Sequence, residues 1–393
     1  MFYRLPKTSE PDWVPTYFLA ALGAGGLVVT FFMWLMHWLP HPNAPVPLFE
    51  DALAALTGDS LFLKMAVVGA WSGVAIFAVL HFQLLIWNVK QYALFRKSNA
   101  YKELRSSNSE TQLLAGPLTV AMSINVAFML AMTFVPGLWG VVEWLFPLAI
   151  VAFLLVGGWA LALLKDFWGR VLVGGGFDCV RNNNLGQLLP AFASAMIGVG
   201  LASPAAMSMN IVTVTFSLVL SSFFMVMAFV MGAIQIVLGF RAMLERGVDP
   251  STAPTLWIVL PIITTLTITL MRQTHGFHVH FGSGAGGIEA LGLLTYFLCA
   301  QLVFGLLGWV VLSRYRYFSK YVTGTEKSAG AYALVCPGVG MVVMTHFFLN
   351  TGLVKFGAMD KFSLAYWCVT GLAIGLQILT MWLVYRLNRL HFA

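Results

Sequence analysis

Ten long apolar runs separated by short polar stretches organise the chain, at residues 15–39, 61–88, 117–136, 138–164, 188–207, 210–240, 254–272, 287–313, 330–353 and 363–387. About 20 apolar residues in helical form cross a hydrocarbon core ~30 Å thick, and every run reaches or approaches that length. The longest connectors, 40–60, 89–116 and 165–187, are too short to hold a separate soluble domain. The pattern predicts an all-α polytopic membrane protein, with one transmembrane domain over 1–393 and ten helices paired as five hairpins.

Composition narrows the class. Of 393 residues, 59% are hydrophobic and 9% charged, where a soluble domain is nearer ~25% charged. A soluble enzyme, a nucleic-acid binder and a disordered chain are excluded, because none could expose so apolar a surface to water. Mean hydropathy is +0.84 and the net charge is +7. That charge is not an electrostatic footprint for nucleic acid; it follows the positive-inside rule. With a cytoplasmic N-terminus, only Lys64, Arg272, Lys355 and Lys361 of the 22 basic residues fall outside or at the outer edge. Both termini are therefore expected in the cytoplasm, and an even number of spans agrees with that. The polar, proline-containing start, Met1 to Trp13, lacks the form of a cleavable signal, so the first helix is expected to be retained. Cys179, Cys299, Cys336 and Cys368 form no paired motif and imply neither a disulfide framework nor a zinc site.

A repeat appears when odd and even runs are compared. The odd runs carry a proline, small residues and hydroxyls. Pro117 is followed by Ser123 and Asn125, and Pro190 by Ser194, Gly198 and Gly200. Pro261 precedes Thr264 and Thr265, and Pro337 precedes Gly338, Gly340, Thr345 and His346. These prolines stand 73, 71 and 76 residues apart. The first run has Pro15, Gly23, Gly25 and Gly26, whereas the even runs are bulkier and plainer. Proline and glycine in a spanning helix free carbonyls, which is tolerable only inside protein or against water. An inner ring of five kinked odd helices around a pore, with five even helices outside, satisfies this. Close packing through small residues is the competing reading.

Candidate chemistry is sparse. Glu143 and Glu289 fall near outer helix ends and Asp166 near an inner end, and no Lys or Arg is read at mid-membrane. A proton pump or a carrier built on a buried carboxylate is thereby disfavoured. A neutral pore can still favour anions through inward dipoles, and Ser123, Asn125, Ser194, Thr264 and Thr265 are the candidate donors. Each hydroxyl could equally bond its own helix carbonyl. His275, His278 and His280 are read in a loop after the seventh helix, with Gly284 to Gly287 beyond them. A pH-sensitive vestibule, a metal site and a plain polar loop all remain open there. Arg181 beside Asn182, Asn183 and Asn184 could hold an anion at the inner mouth. Gly174 to Gly176 match no phosphate-binding pattern and read as a hinge.

The ordered set of odd-helix motifs resembles a known family. The segments are Tyr17-Phe18-Leu19 followed by Gly23 and Gly25; Pro190-Ala191-Phe192; Pro254-Thr255-Leu256-Trp257 with Pro261; and Ala331-Tyr332-Ala333-Leu334-Val335-Cys336-Pro337. They are similar to the TehA-like tellurite-resistance/dicarboxylate transporter family, which includes the plant slow-type anion channels. The opening, Glu10 to Pro15 and Tyr17 to Gly26, also resembles a branch of TsoY-type (seleno)proteins, a label that carries no function. The family resemblance implies a homotrimer in a bacterial inner membrane with an anion pore through each protomer. Relatives pass chloride or nitrate, or are linked to sulfite, malate or tellurite. In the family a phenylalanine just before the kink proline of the ninth helix blocks the closed pore. Cys336 stands there in this chain, so a phenyl plug would come from Phe192 or Phe347. The expected protein is a passive anion transporter, not an enzyme, with no cofactor. Two alternatives are a redox subunit binding quinone or haem through His37, His81 and His346, and a carrier of a sulfur, selenium or tellurium oxyanion that uses Cys336.

Overall fold

A computed structural model describes residues 13–179, 182–282 and 287–392, with side chains from residue 290 in the last stretch. Every regular element among the described residues is helical. Among the described residues, ten helices are long and apolar enough to cross a membrane. In chain order, spans 1 to 10 are Pro15–Trp38, Leu61–Phe95, Asn108–Phe134, Leu138–Val173, Gly186–Met207, Ile211–Arg246, Ala253–Phe281, Ala290–Arg314, Ala329–Val354 and Leu364–Phe392. Two short helices, Phe49–Thr57 and Asn99–Arg105, occupy the connectors 40–60 and 89–116.

The odd spans form a closed ring. Span 1 packs on spans 3 and 9, span 3 on span 5, span 5 on span 7, and span 7 on span 9. Each even span lies outside, against its own hairpin partner and the next inner helix. Burial follows this division, from 94% of the core window of span 5 to 11% of that of span 8. Leu155, Val237, Leu306 and Leu372 are among the exposed apolar side chains of the outer helices, the surface a lipid-facing layer needs. Tyr17 Oη lies 3.0 Å from His391 Nδ1, so the start of span 1 and the end of span 10 sit at one end of the bundle.

Glycine sets how closely the ring can draw together. A Cβ at Gly23 would overlap the Val335 side chain, and one at Gly26 would lie 2.9 Å from Val339 Cγ1. Spans 1 and 9 therefore meet backbone to side chain, the close approach that small residues permit where apolar burial gives no drive between helices.

The prolines are not mid-helix kinks. Each inner span opens with a 3₁₀ turn, at Pro15–Tyr17, Asn108–Leu114, Gly186–Leu188, Ala253–Ile258 and Ala329–Leu334. Pro117, Pro190, Pro261 and Pro337 fall in the first turn of the α-helix that follows. A missing N–H costs least in a first turn, so the proline marks the switch from 3₁₀ to α winding. The sequence repeat is thus a repeated helix start, and the five starts share one end of the ring.

At that same end, Glu110 is buried between Arg105 at 3.0 Å and Arg170 at 2.8 Å, and Arg105 also reaches Asp166 at 2.9 Å. This chain of ion pairs ties the Asn99–Arg105 helix to spans 3 and 4.

Candidate functional site

A cavity of about 100 Å³ lies on the ring axis, lined by all five odd spans. Span 1 contributes Leu22 and Val29 and span 3 contributes Met122, Asn125 and Met129. Phe192 and Met196 come from span 5, Thr264, Thr265 and Arg272 from span 7, and Cys336, Val339 and Val343 from span 9. The lining runs along span 7 from Pro261 to Arg272, about 16 Å at 1.5 Å per residue. The walls are mainly apolar, with three methionine thioethers and one thiol among them.

Among the described residues, Arg272 is the only charged side chain lining this cavity. The sequence pattern ends the seventh helix at Arg272 and leaves it at the outer edge. The structure corrects this: span 7 continues to Phe281, which places Arg272 about 13 Å inside the helix end. Its Nη1 donates to Val199 O and to Ser203 Oγ, both at 2.7 Å. Those partners sit where span 5 breaks, between Leu189–Leu201 and Ser203–Met207. Pro204 has no N–H to continue the ladder, and the guanidinium caps the interrupted helix from its negative end. Gly276 makes this reach possible, because a Cβ there would lie 2.5 Å from Ala205 O and hold spans 5 and 7 apart. Among the described residues no carboxylate pairs with Arg272. A second cavity of about 70 Å³ adjoins the first at the end remote from the termini. The two share Asn125, Met129 and Arg272.

The sequence candidates divide between the cavity and its surroundings. Phe192, Cys336, Asn125, Pro261, Thr264 and Thr265 line it. The threonines are not free donors, however. Thr264 Oγ1 lies 3.2 Å from Leu260 O and 3.0 Å from Gly340 O, and it accepts from Gln301 Nε2 at 2.6 Å. Thr265 bonds Pro261 O at 3.0 Å and Ile262 O at 2.9 Å. Asn125 Nδ2 donates to Ala121 O at 3.2 Å and contacts Met196 Sδ at 3.7 Å. Ser194 donates to Pro190 O at 2.8 Å and does not line the cavity, nor does Pro337. Ser123 turns away from the axis to His81, whose Nε2 lies 2.8 Å from Ser123 Oγ. His81 Nδ1 lies 2.7 Å from Ala21 O, and since a carbonyl only accepts, Nδ1 donates. His81 thereby bolts spans 1, 2 and 3 together.

His346 and Phe347 also lie off the cavity. The His37 and His346 rings stand nearly parallel, 5.9 Å between centroids, with Phe347 edge-on to His37 at 5.7 Å. This packing joins spans 1 and 9 near the remote end. Of the three histidines expected to hold a redox group, two are neighbours and the third, His81, is occupied on both nitrogens. His275, His278 and His280 are on the last turns of span 7, not in a loop, and none lines either cavity. No metal-holding group of three His, Cys, Asp or Glu occurs among the described residues. Arg181, Gly284 to Gly286, and the side chain of Glu289 lie outside the described residues. Glu143 accepts from Ser208 Oγ and Met209 N, both at 2.7 Å, and so ties the connector before span 6 to span 4.

Sequence reading missed Arg272, Met122, Met129 and Met196. No clear signal along the chain marks Arg272, because Gly276 follows it as a plausible helix end, whereas span 7 runs through Gly276 and closes at Gly282, whose φ is +67°. Compared with the models of known protein families and with curated proteins, the chain matches none.

Proposed function

We propose that the chain is an anion channel or passive anion exporter with a conduction path through each protomer, of the TehA-like kind its motifs resemble. The ten-helix apolar bundle fits a membrane transporter or channel in general. The anion reading rests on one observation: among the described residues, a guanidinium without a carboxylate partner lines an axial cavity that holds no other charge. A buried cation is costly in an apolar interior, and its remaining N–H donors attract a mobile anion and repel cations. Partly dehydrated anions would pass Phe192 and Cys336 and dwell beside Arg272. Apolar walls keep that dwell weak enough for release. The basic residues around the terminus-bearing end, such as Lys90, Arg96, Arg246 and Arg314, would concentrate anions at one mouth if that end faces a cytoplasm. A homotrimer in a bacterial inner membrane with cytoplasmic termini belongs to the same proposal.

The test is reconstitution of the purified protein in planar bilayers with a salt gradient. A reversal potential near the anion equilibrium potential supports the reading, and a cation-directed potential or electrical silence in folded protein overturns it. A thiol-dependent carrier of a chalcogen oxyanion is a second reading, favoured because Cys336 lines the same cavity. Vesicle uptake abolished by a small thiol blocker, without bilayer current, would select it.

A further inference from the structure

The second cavity differs in chemistry from the axial one. It lies mainly between spans 3, 4 and 5, with Phe32 of span 1 and Val46 beside it, and its walls include Phe128, Phe146, Ala149, Phe153 and Met207. Asn125, Ser203 and the Arg272 guanidinium are its polar groups, and the remaining wall is apolar and rich in phenylalanine. Chloride or nitrate gains from the guanidinium and nothing from the chamber behind it. A ligand that uses both needs a planar anionic head and an apolar tail. The guanidinium fork matches a carboxylate in two parallel hydrogen bonds, and one fixed charge neutralises one carboxylate, not two. Size sets the tail. At about 70 Å³ the chamber is roughly half the ~150 Å³ of an apolar cavity that takes benzene. A phenyl ring or a long alkyl chain is excluded, and a short alkyl chain fits.

We propose that this chamber is a binding site for short-chain monocarboxylates, with the carboxylate on Arg272 and the alkyl tail among Phe128, Phe146 and Phe153. The site shares Arg272 with the conduction path, so a bound carboxylate competes with inorganic anions there. Gly200 keeps the chamber open, because a Cβ on it would overlap the Phe153 ring and drive that ring from its place.

The experiment is calorimetric titration of the full-length protein in detergent with acetate, propionate, butyrate, octanoate and benzoate. Expected is a gain of about 4-fold in affinity per methylene from acetate to butyrate, the value of burying one CH₂. Octanoate and benzoate should bind more weakly than butyrate. Arg272→Met should abolish binding of the series, and Ala149→Leu, which fills the chamber from span 4, should make butyrate bind no tighter than acetate. Should Arg272→Met fail to fold, Ala149→Leu decides alone. A flat series, octanoate binding tighter than butyrate, or a gradient that survives Ala149→Leu overturns the proposal. These readouts are of binding, so electrical silence in bilayers would remove the channel reading and leave this one standing.

Discussion

Arg272→Met replaces the axial cation with an apolar side chain of similar length. A monovalent anion about 4 Å from the guanidinium gains ~4 kcal/mol at an effective dielectric of about 20. The interrupted end of span 5, whose Val199 carbonyl the guanidinium caps, carries about half a negative charge in wild type and variant alike and so cancels in the comparison. Removing the guanidinium therefore costs the full ~4 kcal/mol, a fall in anion occupancy on the order of 10³-fold at ~1.4 kcal/mol per decade. The assay is the anion-to-cation permeability ratio from reversal potentials in planar bilayers, with size-exclusion and circular-dichroism profiles confirming a folded bundle. Arg272→Lys should fall between the two, since it keeps the charge but loses the planar guanidinium whose Nη1 donates to both Val199 O and Ser203 Oγ. The competing outcome is specific. If Arg272 serves only as a cap on span 5, Arg272→Met lowers thermal stability and leaves the permeability ratio at the wild-type value. That result would refute the electrostatic reasoning.

Three further outcomes follow from the packing. Phe192→Ala should raise conductance and speed methanethiosulfonate labelling of Cys336 in a chain whose other three cysteines are replaced, because both side chains line the cavity and are 2% and 6% exposed. Unchanged labelling would take Phe192 out of the path. Gly25→Ala puts a Cβ 2.7 Å from both His81 Nδ1 and Met122 Cγ, so it should strain the His81–Ala21 bond and cost about 1–3 kcal/mol in thermal unfolding. An unfolding midpoint equal to wild type would count against the His81 bolt. Glu110→Gln removes the charge that holds Arg105 and Arg170, with an expected loss of about 2 kcal/mol that high salt narrows. A variant as stable as wild type at low salt would show that the pairs do not brace spans 3 and 4.

Much of the architecture can be read residue by residue. Ten apolar runs become ten spans because transfer into lipid depends on local hydropathy, which needs no partner to evaluate. The spacing of Pro117, Pro190, Pro261 and Pro337 marks the inner helices, since their shared proline starts repeat in sequence. Helix ends were harder to place. Span 7 runs past Arg272 through His275, His278 and His280, because a polar residue ends an apolar run without ending the hydrogen-bond ladder. The donors were legible only as types: Ser123 and Asn125 are two residues apart, about 200° around a helix, and one faces His81 while the other faces the axis.

The sequence by itself determined the class of the molecule, the number of spans, the division into small-residue and bulky helices, and the bias of basic residues to the end that carries the termini. Each of these is a property of one residue type against water or lipid, or of a repeat along the chain. Tertiary structure alone decided that span 9 closes back on span 1, that Cys336 and Phe192 share one cavity, and that Arg272 meets a broken helix from another hairpin, not a carboxylate. Those facts depend on how each helix is rotated about its axis and on what a residue dozens of positions away presents to it. That rotation is set by side chains interlocking across the ring, such as Gly23 against Val335 and Gly276 against Ala205, and no local pattern encodes it.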